Sequence, residues 1–335
     1  MNTRVQSLQL TFLRYCKKQK VSVGVGYKSF ATGETAFVNP DRRFSTASVF
    51  KVFVLIDLYR RFFEGRLNPD SRLALKDTDR SVGSGVLQYV GAGAGLRLRD
   101  YARLMMIISD NTAADVLFDH LGRASVADTI SWLGLKNTQV GSSCKDLLAG
   151  SYTRKEAAHI AELLGLSSKG NDNRLYTSQI RENIHRLSGV HTAKELELLN
   201  AIDDEHGRPL TTKGEENGDF TSPRDLVETF TKIHQERALG RFTDEVMDIM
   251  AACETGRSRI RKGIPKKQVL AHKTGTMKGT VNDAGIVMDG QASYVLAVLV
   301  NDIPTSSPGG YEAKGERIIA EVSAAAWRAR KPGAR

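Results

Sequence analysis

Three short motifs in this chain carry residues that together could break an amide or ester bond. The first is Ser48-Val49-Phe50-Lys51, a hydroxyl followed three residues later by an amine. Ser48 opens a segment, Ser48 to Tyr59, that is apolar nearly all the way round, as in a helix buried inside a protein rather than lying on it. On such a helix Lys51 lies one turn along on the face of Ser48. A hydroxyl at the helix start also feels the positive end of the helix dipole, which favours a developing alkoxide. Lysine becomes a base where burial or neighbouring positive charge lowers its pKa. Alone, the pair reads equally well as a capping serine followed by a lysine whose stem is covered. A second match, Ser142 to Lys145, lies in a Gly-Ser-Ser-Cys loop with no apolar helix behind it.

The second motif, Ser109-Asp110-Asn111, falls between two helical patterns. Its serine could pass a proton to a leaving nitrogen and Asn111 could hold a substrate amide, although the same triplet is an ordinary cap and turn. The third, Lys273-Thr274-Gly275-Thr276, ends a strand pattern. A lysine and two hydroxyls on a strand edge suit a carboxylate, and glycine admits a substrate close to the backbone. The backbone N–H groups of Thr276 and Ser48 could together form an oxyanion hole.

The elements that must position these motifs follow from periodicity. Val5, Leu8, Leu10, Phe12 and Leu13 supply the buried face of an amphipathic first helix. Val21, Val23, Val25 and Tyr27 alternate with small or polar residues, predicting a half-buried strand, and Glu34 to Val38 a second one. Helices are expected over Leu98 to Ile108, Thr112 to Leu121, Ala124 to Leu133 and, after Ser222-Pro223, Arg224 to His234. Further helical stretches fall near 154–164, 177–187 and 193–202. Val269 to His272, Val281 to Met288 and Ser293 to Val300 read as strands before a last helix, Gly315 to Trp327. Strands at both ends with helices between imply an α+β fold: an antiparallel sheet built from both termini and flanked by helices, with an inserted all-helical domain. The boundaries expected are 1–50 with 245–335 for the sheet domain and 51–244 for the helical one.

Composition narrows the function classes. The 335 residues are 41% hydrophobic and 26% charged, and no apolar run reaches the length of a membrane span. The net charge of +10 comes from scattered Lys and Arg without aromatic interleaving, so no nucleic-acid partner is expected. Cys16, Cys144 and Cys253 are too dispersed for a disulfide framework or a zinc site and read as small buried hydrophobes. The amino terminus lacks a sustained apolar stretch and a small-residue cleavage site. As it stands the chain would stay in the cytoplasm; a leader already removed would place it outside.

The three motifs, intact and in this order, resemble the class A β-lactamases and penicillin-binding enzymes, whose signature is S-x-x-K, S-D-N and K-T-G. Phe44-Ser45-Thr46-Ala47 before Ser48 and Val281-Asn282-Asp283-Ala284-Gly285-Ile286 after the third motif are similar too. The resemblance spans about residues 20 to 140 and 219 to 330. It implies a monomeric serine hydrolase that needs no cofactor and no metal and takes a small carboxylate-bearing substrate. Ser48, Lys51, Ser109 and Lys273 would be catalytic; Asn111, Thr274, Gly275 and Thr276 would bind substrate.

The chain departs from that family at one place. Aligned from Leu133-Gly134-Leu135, the position of the glutamate that activates water for deacylation falls at or near Cys144. The exit of that loop resembles Asp219-Phe220-Thr221-Ser222-Pro223, leaving about 145–218 as an insertion in which Glu195, Glu197 or Glu205 could supply a base. Ser81-Val82-Gly83-Ser84-Gly85-Val86-Leu87 resembles a segment of variant members. The resemblance therefore leaves three activities open: β-lactam hydrolysis, a D-Ala-D-Ala peptidase or esterase, and a sensor acylated without turnover.

Overall fold

The computed structural model describes residues 3–151 and 218–330, so Glu195, Glu197, Glu205 and the three helical stretches expected between 154 and 202 lie outside the described residues. Helix α1 (Thr3–Lys17) leads into strands β1 (Ser22–Ser29), β2 (Thr35–Val38) and β3 (Phe44–Ser45) and then helix α2 (Lys51–Phe63). Strands β4 (Arg72–Ala74) and β5 (Gly95–Arg97) precede helices α3 (Leu98–Ile107), α4 (Asn111–Leu121), α5 (Arg123–Trp132) and α6 (Cys144–Ser151). After β6 (Phe220–Thr221) come α7 (Pro223–His234), α8 (Thr243–Ala251), strands β7 (Val269–Met277), β8 (Thr280–Met288) and β9 (Tyr294–Asn301), and α9 (Gly310–Ala329).

The described residues of 1–67, 124–141 and 209–335 form one compact unit, and those of 68–123 and 142–208 a second. In the first unit a five-stranded antiparallel sheet runs in the order β2-β1-β9-β8-β7, built from both ends of the chain. Its boundary differs from the expected one, because α2, most of α5 and α7 belong to the same unit as the sheet. Helix α2 buries ten of its thirteen residues, and a helix apolar on all sides must be enclosed by its own unit. The second unit holds α3, α4 and α6 and, in addition to the helices expected, the ribbon β4–β5.

Two readings of local pattern change. Strand β1 is covered on both faces, not one. Its small alternate residues, Gly24 and Gly26, are where α7 presses close: a Cβ at Gly24 would stand 2.7 Å from Pro223 Cγ, and one at Gly26 2.6 Å from the Pro223 carbonyl. The period of two thus marks close backbone approach rather than a solvent face. In α1, Leu8 and Phe12 enter the core with Ile318, Ile319 and Val322 of α9 and Val298 of β9, whereas Leu10 and Leu13 are exposed. Leu8 and Phe12 are four apart and share one helix stripe; Leu10 and Leu13 fall outside it. Helix α7 starts as expected, with Ser222 Oγ accepting from the Asp225 N–H at 3.1 Å and proline in the first turn.

This register has a measurable consequence. Phe12→Ala should cost about 3–5 kcal/mol in urea unfolding, the usual penalty for emptying a buried aromatic site. Leu10→Ala and Leu13→Ala should each stay within about 0.5 kcal/mol. Comparable losses at Leu10 would show that α1 is rotated from the position described.

Candidate active site

Ser48 sits not on the first turn of α2 but on a 3-10 turn, Ala47–Phe50, that precedes it. Val49 N–H donates to the Thr46 carbonyl at 3.1 Å, and Lys51 N–H to the Ser48 carbonyl, the i to i+3 spacing of the tighter helix. Ala47 takes φ 41°, left-handed backbone that costs a non-glycine residue of order 1–3 kcal/mol. This kink leaves Ser48 half-buried while Ala47, Val49, Phe50 and Lys51 are buried around it.

The turn is fixed from the sheet. Asn282 in β8 donates through Nδ2 to the carbonyls of Ser45 (2.8 Å) and Thr46 (3.1 Å), and its Oδ1 accepts from Val300 N–H. Asn301 Oδ1 accepts from Ser45 N–H at 3.0 Å. Beside it β7, an edge strand, lays its motif against the turn: a Cβ on Gly275 would stand 2.6 Å from the Thr46 carbonyl and 3.1 Å from the Ser48 nitrogen. Only glycine allows that approach.

Lys273 and Lys51 are both fully buried. Lys273 Nζ donates to the Thr274 carbonyl at 2.8 Å. Burial, with the charges of Lys51 and Arg259, brings Lys273 down to about 7; the Cys253 thiolate and Asp283 act in the opposite direction. The two threonine hydroxyls of the motif already have protein partners. Thr274 Oγ1 lies 2.6 Å from Thr255 Oγ1, and Thr276 Oγ1 accepts from Arg259 Nη2 at 2.7 Å.

The structure thus gathers Ser48, Lys51, Lys273, Thr274, Gly275 and Thr276 in the first unit. Ser109, Asp110 and Asn111 belong to the second. There Ser109 has φ 59°, and Asp110 caps α4 by accepting from Ala113 N–H at 2.9 Å. The other Asp110 oxygen accepts from Val86 and Leu87 N–H at 2.7 and 2.9 Å. Asn111 Nδ2 donates to the Val82 carbonyl at 2.8 Å. The Ser81 to Leu87 segment and the Ser-Asp-Asn turn are therefore one clamp, in which Gly85 must lack a side chain because a Cβ would meet the Asp110 carboxylate. In the competing match, Lys145 Nζ donates to the Thr78 carbonyl at 2.6 Å, and the N–H groups of Cys144 and Lys145 both bond Asp115. Those contacts anchor α6.

Sequence reasoning missed Arg259, Asn282 and Asn301. Arg259, buried, donates to the carbonyls of Gly275 (3.2 Å) and Asn282 (3.0 Å) and pairs with Glu312 and Glu316 of α9. Its place within a run of basic residues, Arg257 to Lys262, gave no sign of this; the polar pair Asn282-Asp283 between apolar strand residues was the one available signal. Among the described residues no group of three or more His, Cys, Asp and Glu side chains gathers as metal ligands would.

Asn282→Ala should destabilise the fold by about 2–4 kcal/mol, because it removes three buried hydrogen bonds, two to carbonyls and one from an N–H, each worth about 0.5–1.5 kcal/mol. Urea denaturation measures this; a loss below about 1 kcal/mol would mean that the Ser45–Ser48 turn holds itself.

With the geometry established, comparison with known proteins adds the following. A family model described as the β-lactamase enzyme family matches residues 6–329. The β-lactamase CARB-4 of Pseudomonas aeruginosa is 30% identical over 119 residues, 35% of this chain and 41% of that relative. The chain spans about four-tenths of that protein's length. The extended-spectrum β-lactamase PER-1 of Pseudomonas aeruginosa is 23% identical over 322 residues, covering 92% of this chain and 82% of its own. Among solved structures, PBP-A aligns with a TM-score of 0.70 at 24% identity over 96% of this chain and 95% of that one. A β-lactamase from Sphaerobacter thermophilus gives 0.70 at 23% over 97% of each chain. These structural likenesses establish the fold.

Proposed function

This chain belongs to the β-lactamase enzyme family, and from that premise we propose that it is a serine hydrolase that opens β-lactams through an acyl-enzyme on Ser48. The observation that carries the reading is the close packing of Gly275 on the Ser48 turn, where a Cβ at 275 would stand 3.1 Å from the Ser48 nitrogen. It sets a half-buried hydroxyl beside a strand edge that also bears Lys273.

In this reading Lys51 accepts the Ser48 proton and Ser48 Oγ attacks the lactam carbonyl carbon. Negative charge builds on the carbonyl oxygen, which the N–H groups of Ser48 and Thr276 stabilise. The C–N bond breaks and the nitrogen takes a proton, a role assigned to Ser109 on its motif, as an amide contact is to Asn111. Lys273, with Thr274 and Thr276, receives the substrate carboxylate. Water then hydrolyses the ester on Ser48.

The peptidase or sensor reading has one observation in its favour. The position aligned with the water-activating glutamate carries Cys144, whose side chain is buried and whose N–H is held by Asp115 at 2.6 Å. A buried thiol is a poor base for water. In support, one solved relative is an acyl-enzyme complex of a PBP-A mutant with penicillin G (TM-score 0.69, 23% identity, 98% of this chain and 96% of that one).

Intact mass after addition of penicillin G tests the assignment. The native chain should gain the whole mass of the drug and Ser48→Ala should gain none, since removing a nucleophile costs many orders of magnitude in rate. An adduct on Ser48→Ala would refute it. Repeated turnover of excess drug supports the hydrolase; an adduct persisting for hours, with no turnover, supports the peptidase or sensor instead.

Lys273 gives a pH signature. Its folded pKa is lowered to about 7, so the ammonium is lost as pH rises through that value. A carboxylate-bearing penicillin should then be acylated progressively less well than its neutral ester between pH 6 and 9. A charge-assisted hydrogen bond is worth about 1.5–3 kcal/mol, so the ratio of the two kcat/KM values should fall by about 10- to 150-fold. Lys273→Arg should flatten the profile. A ratio independent of pH in the native chain would remove Lys273 from carboxylate recognition.

A further inference from the structure

Cys253, read from sequence as a small buried hydrophobe, has polar surroundings. Unlike Cys16 and Cys144 it is only partly covered. The turn that carries it wedges against β7: Gly256 has φ 75°, and a Cβ there would stand 2.4 Å from Thr274 Cγ2. Cys253 Sγ lies 3.2 Å from Thr255 Oγ1, which lies 2.6 Å from Thr274 Oγ1. A chain of two hydrogen bonds therefore joins the sulfur to the Lys273–Thr276 motif.

Behind the sulfur stands a buried dyad. His272 Nδ1 is 2.7 Å from Asp283 Oδ1, and Asp283 Oδ2 accepts from the Ile260 N–H at 3.1 Å, which orients the carboxylate. The turn that carries Cys253 also reaches this dyad, since a Cβ on Gly256 would stand 3.7 Å from Asp283 Oδ2, and the charge of His272 acts on the sulfur. Burial opposes charge on His272, but the charge and hydrogen bond of Asp283 outweigh it and raise the imidazole to about 9. Burial likewise opposes the thiolate; the interaction with His272 and the charge of Lys273 bring it down to about 7. Cys16, which has only burial acting on it, is pushed up to about 12.

We propose that the Cys253–His272–Asp283 array is a modification site at which a hydroperoxide oxidises Cys253 to a sulfenic acid. A thiolate beside a cation in a partly exposed setting is the reactive form of cysteine. Partial cover favours a small oxidant over a bulky disulfide. The sulfur electron pair attacks one peroxide oxygen, the O–O bond breaks and an S–O bond forms. The departing oxygen leaves as hydroxide and takes a proton from the His272 imidazolium, giving water from hydrogen peroxide. Sulfur is oxidised by two electrons and the peroxide is reduced. The new oxygen enters the hydroxyl chain behind Thr274. Oxidation should therefore slow acylation by carboxylate-bearing penicillins, a consequence that rests on the proposed role of Lys273.

The test treats the whole chain at pH 7 with hydrogen peroxide in the presence of dimedone, which traps sulfenic acids, followed by intact mass and peptide mapping. One adduct is expected, on Cys253, formed at least about tenfold faster than any on Cys16 or Cys144, and absent from Cys253→Ser. His272→Asn should slow it about tenfold or more while the thiol remains titratable after unfolding. Labelling of the native chain at all three cysteines at similar rates, or none at Cys253, would overturn the site without reference to β-lactams. The same oxidised sample, offered penicillin G, should acylate more slowly than the reduced one. Unchanged acylation at full oxidation of Cys253 would refute its coupling to Lys273, and absence of acylation in both samples would instead indict the function proposed for Ser48.

Discussion

The contact between Gly275 and the backbone of Thr46 to Ser48 constrains the rest of the sheet unit. A side chain at 275 would stand 2.6 Å from a carbonyl oxygen that is already committed to Asn282. Neither partner can retreat. Strand β7 is held by its full register with β8, in which Gly275 faces Asn282. The turn is held by Asn282 and Asn301 from the next two strands. Sheet, turn and motif are thus one rigid body, and the strained φ of Ala47 persists because its surroundings over-determine it. Preorganisation of this kind lets backbone N–H groups stabilise charge with little reorganisation.

Charge is the second constraint. Two lysines with no exposed surface would be intolerable in an apolar core. For Lys273 the cost is reduced by Asp283, by the Cys253 thiolate and by leaving its proton loosely held. Arg259 adds positive charge nearby but is itself balanced by Glu312 and Glu316 on α9. The last helix therefore contributes to the electrostatics of the motif strand as well as covering the sheet.

Much of this was legible in the sequence, and the failures have physical causes. The strands β8 and β9, the helix α4 and the start of α7 follow from continuous apolar runs, caps and proline, signals that act locally. The two-residue strands β3 and β6 carry no period at all; they exist because Phe44 and Thr221 find each other across the fold. Strand β1 misled because Gly24 and Gly26 mimic a polar face, although they are there to admit α7. The three motifs were visible as residue types. Arg259 was not, because an arginine among other basic residues looks solvated until the strand it serves is in place. Cys253 likewise acquires chemical character only when the fold brings it to His272.

The same logic separates the two halves of the proposed reaction. Acylation needs an activated hydroxyl, an oxyanion site and a grip on the substrate, and in the sheet unit the turn before Ser48 is held by hydrogen bonds from β8 and β9. Deacylation needs only a base that can reach water. At the position aligned with that base the chain has committed its local chemistry to structure: Asp115 receives the N–H groups of Cys144 and Lys145 and so fastens the first turn of α6. A carboxylate that satisfies two backbone donors is oriented toward them and away from water. In the proposed reaction the proton from the hydrolytic water would then fall to Lys51, the amine proposed to free Ser48, so one group would serve both steps in turn.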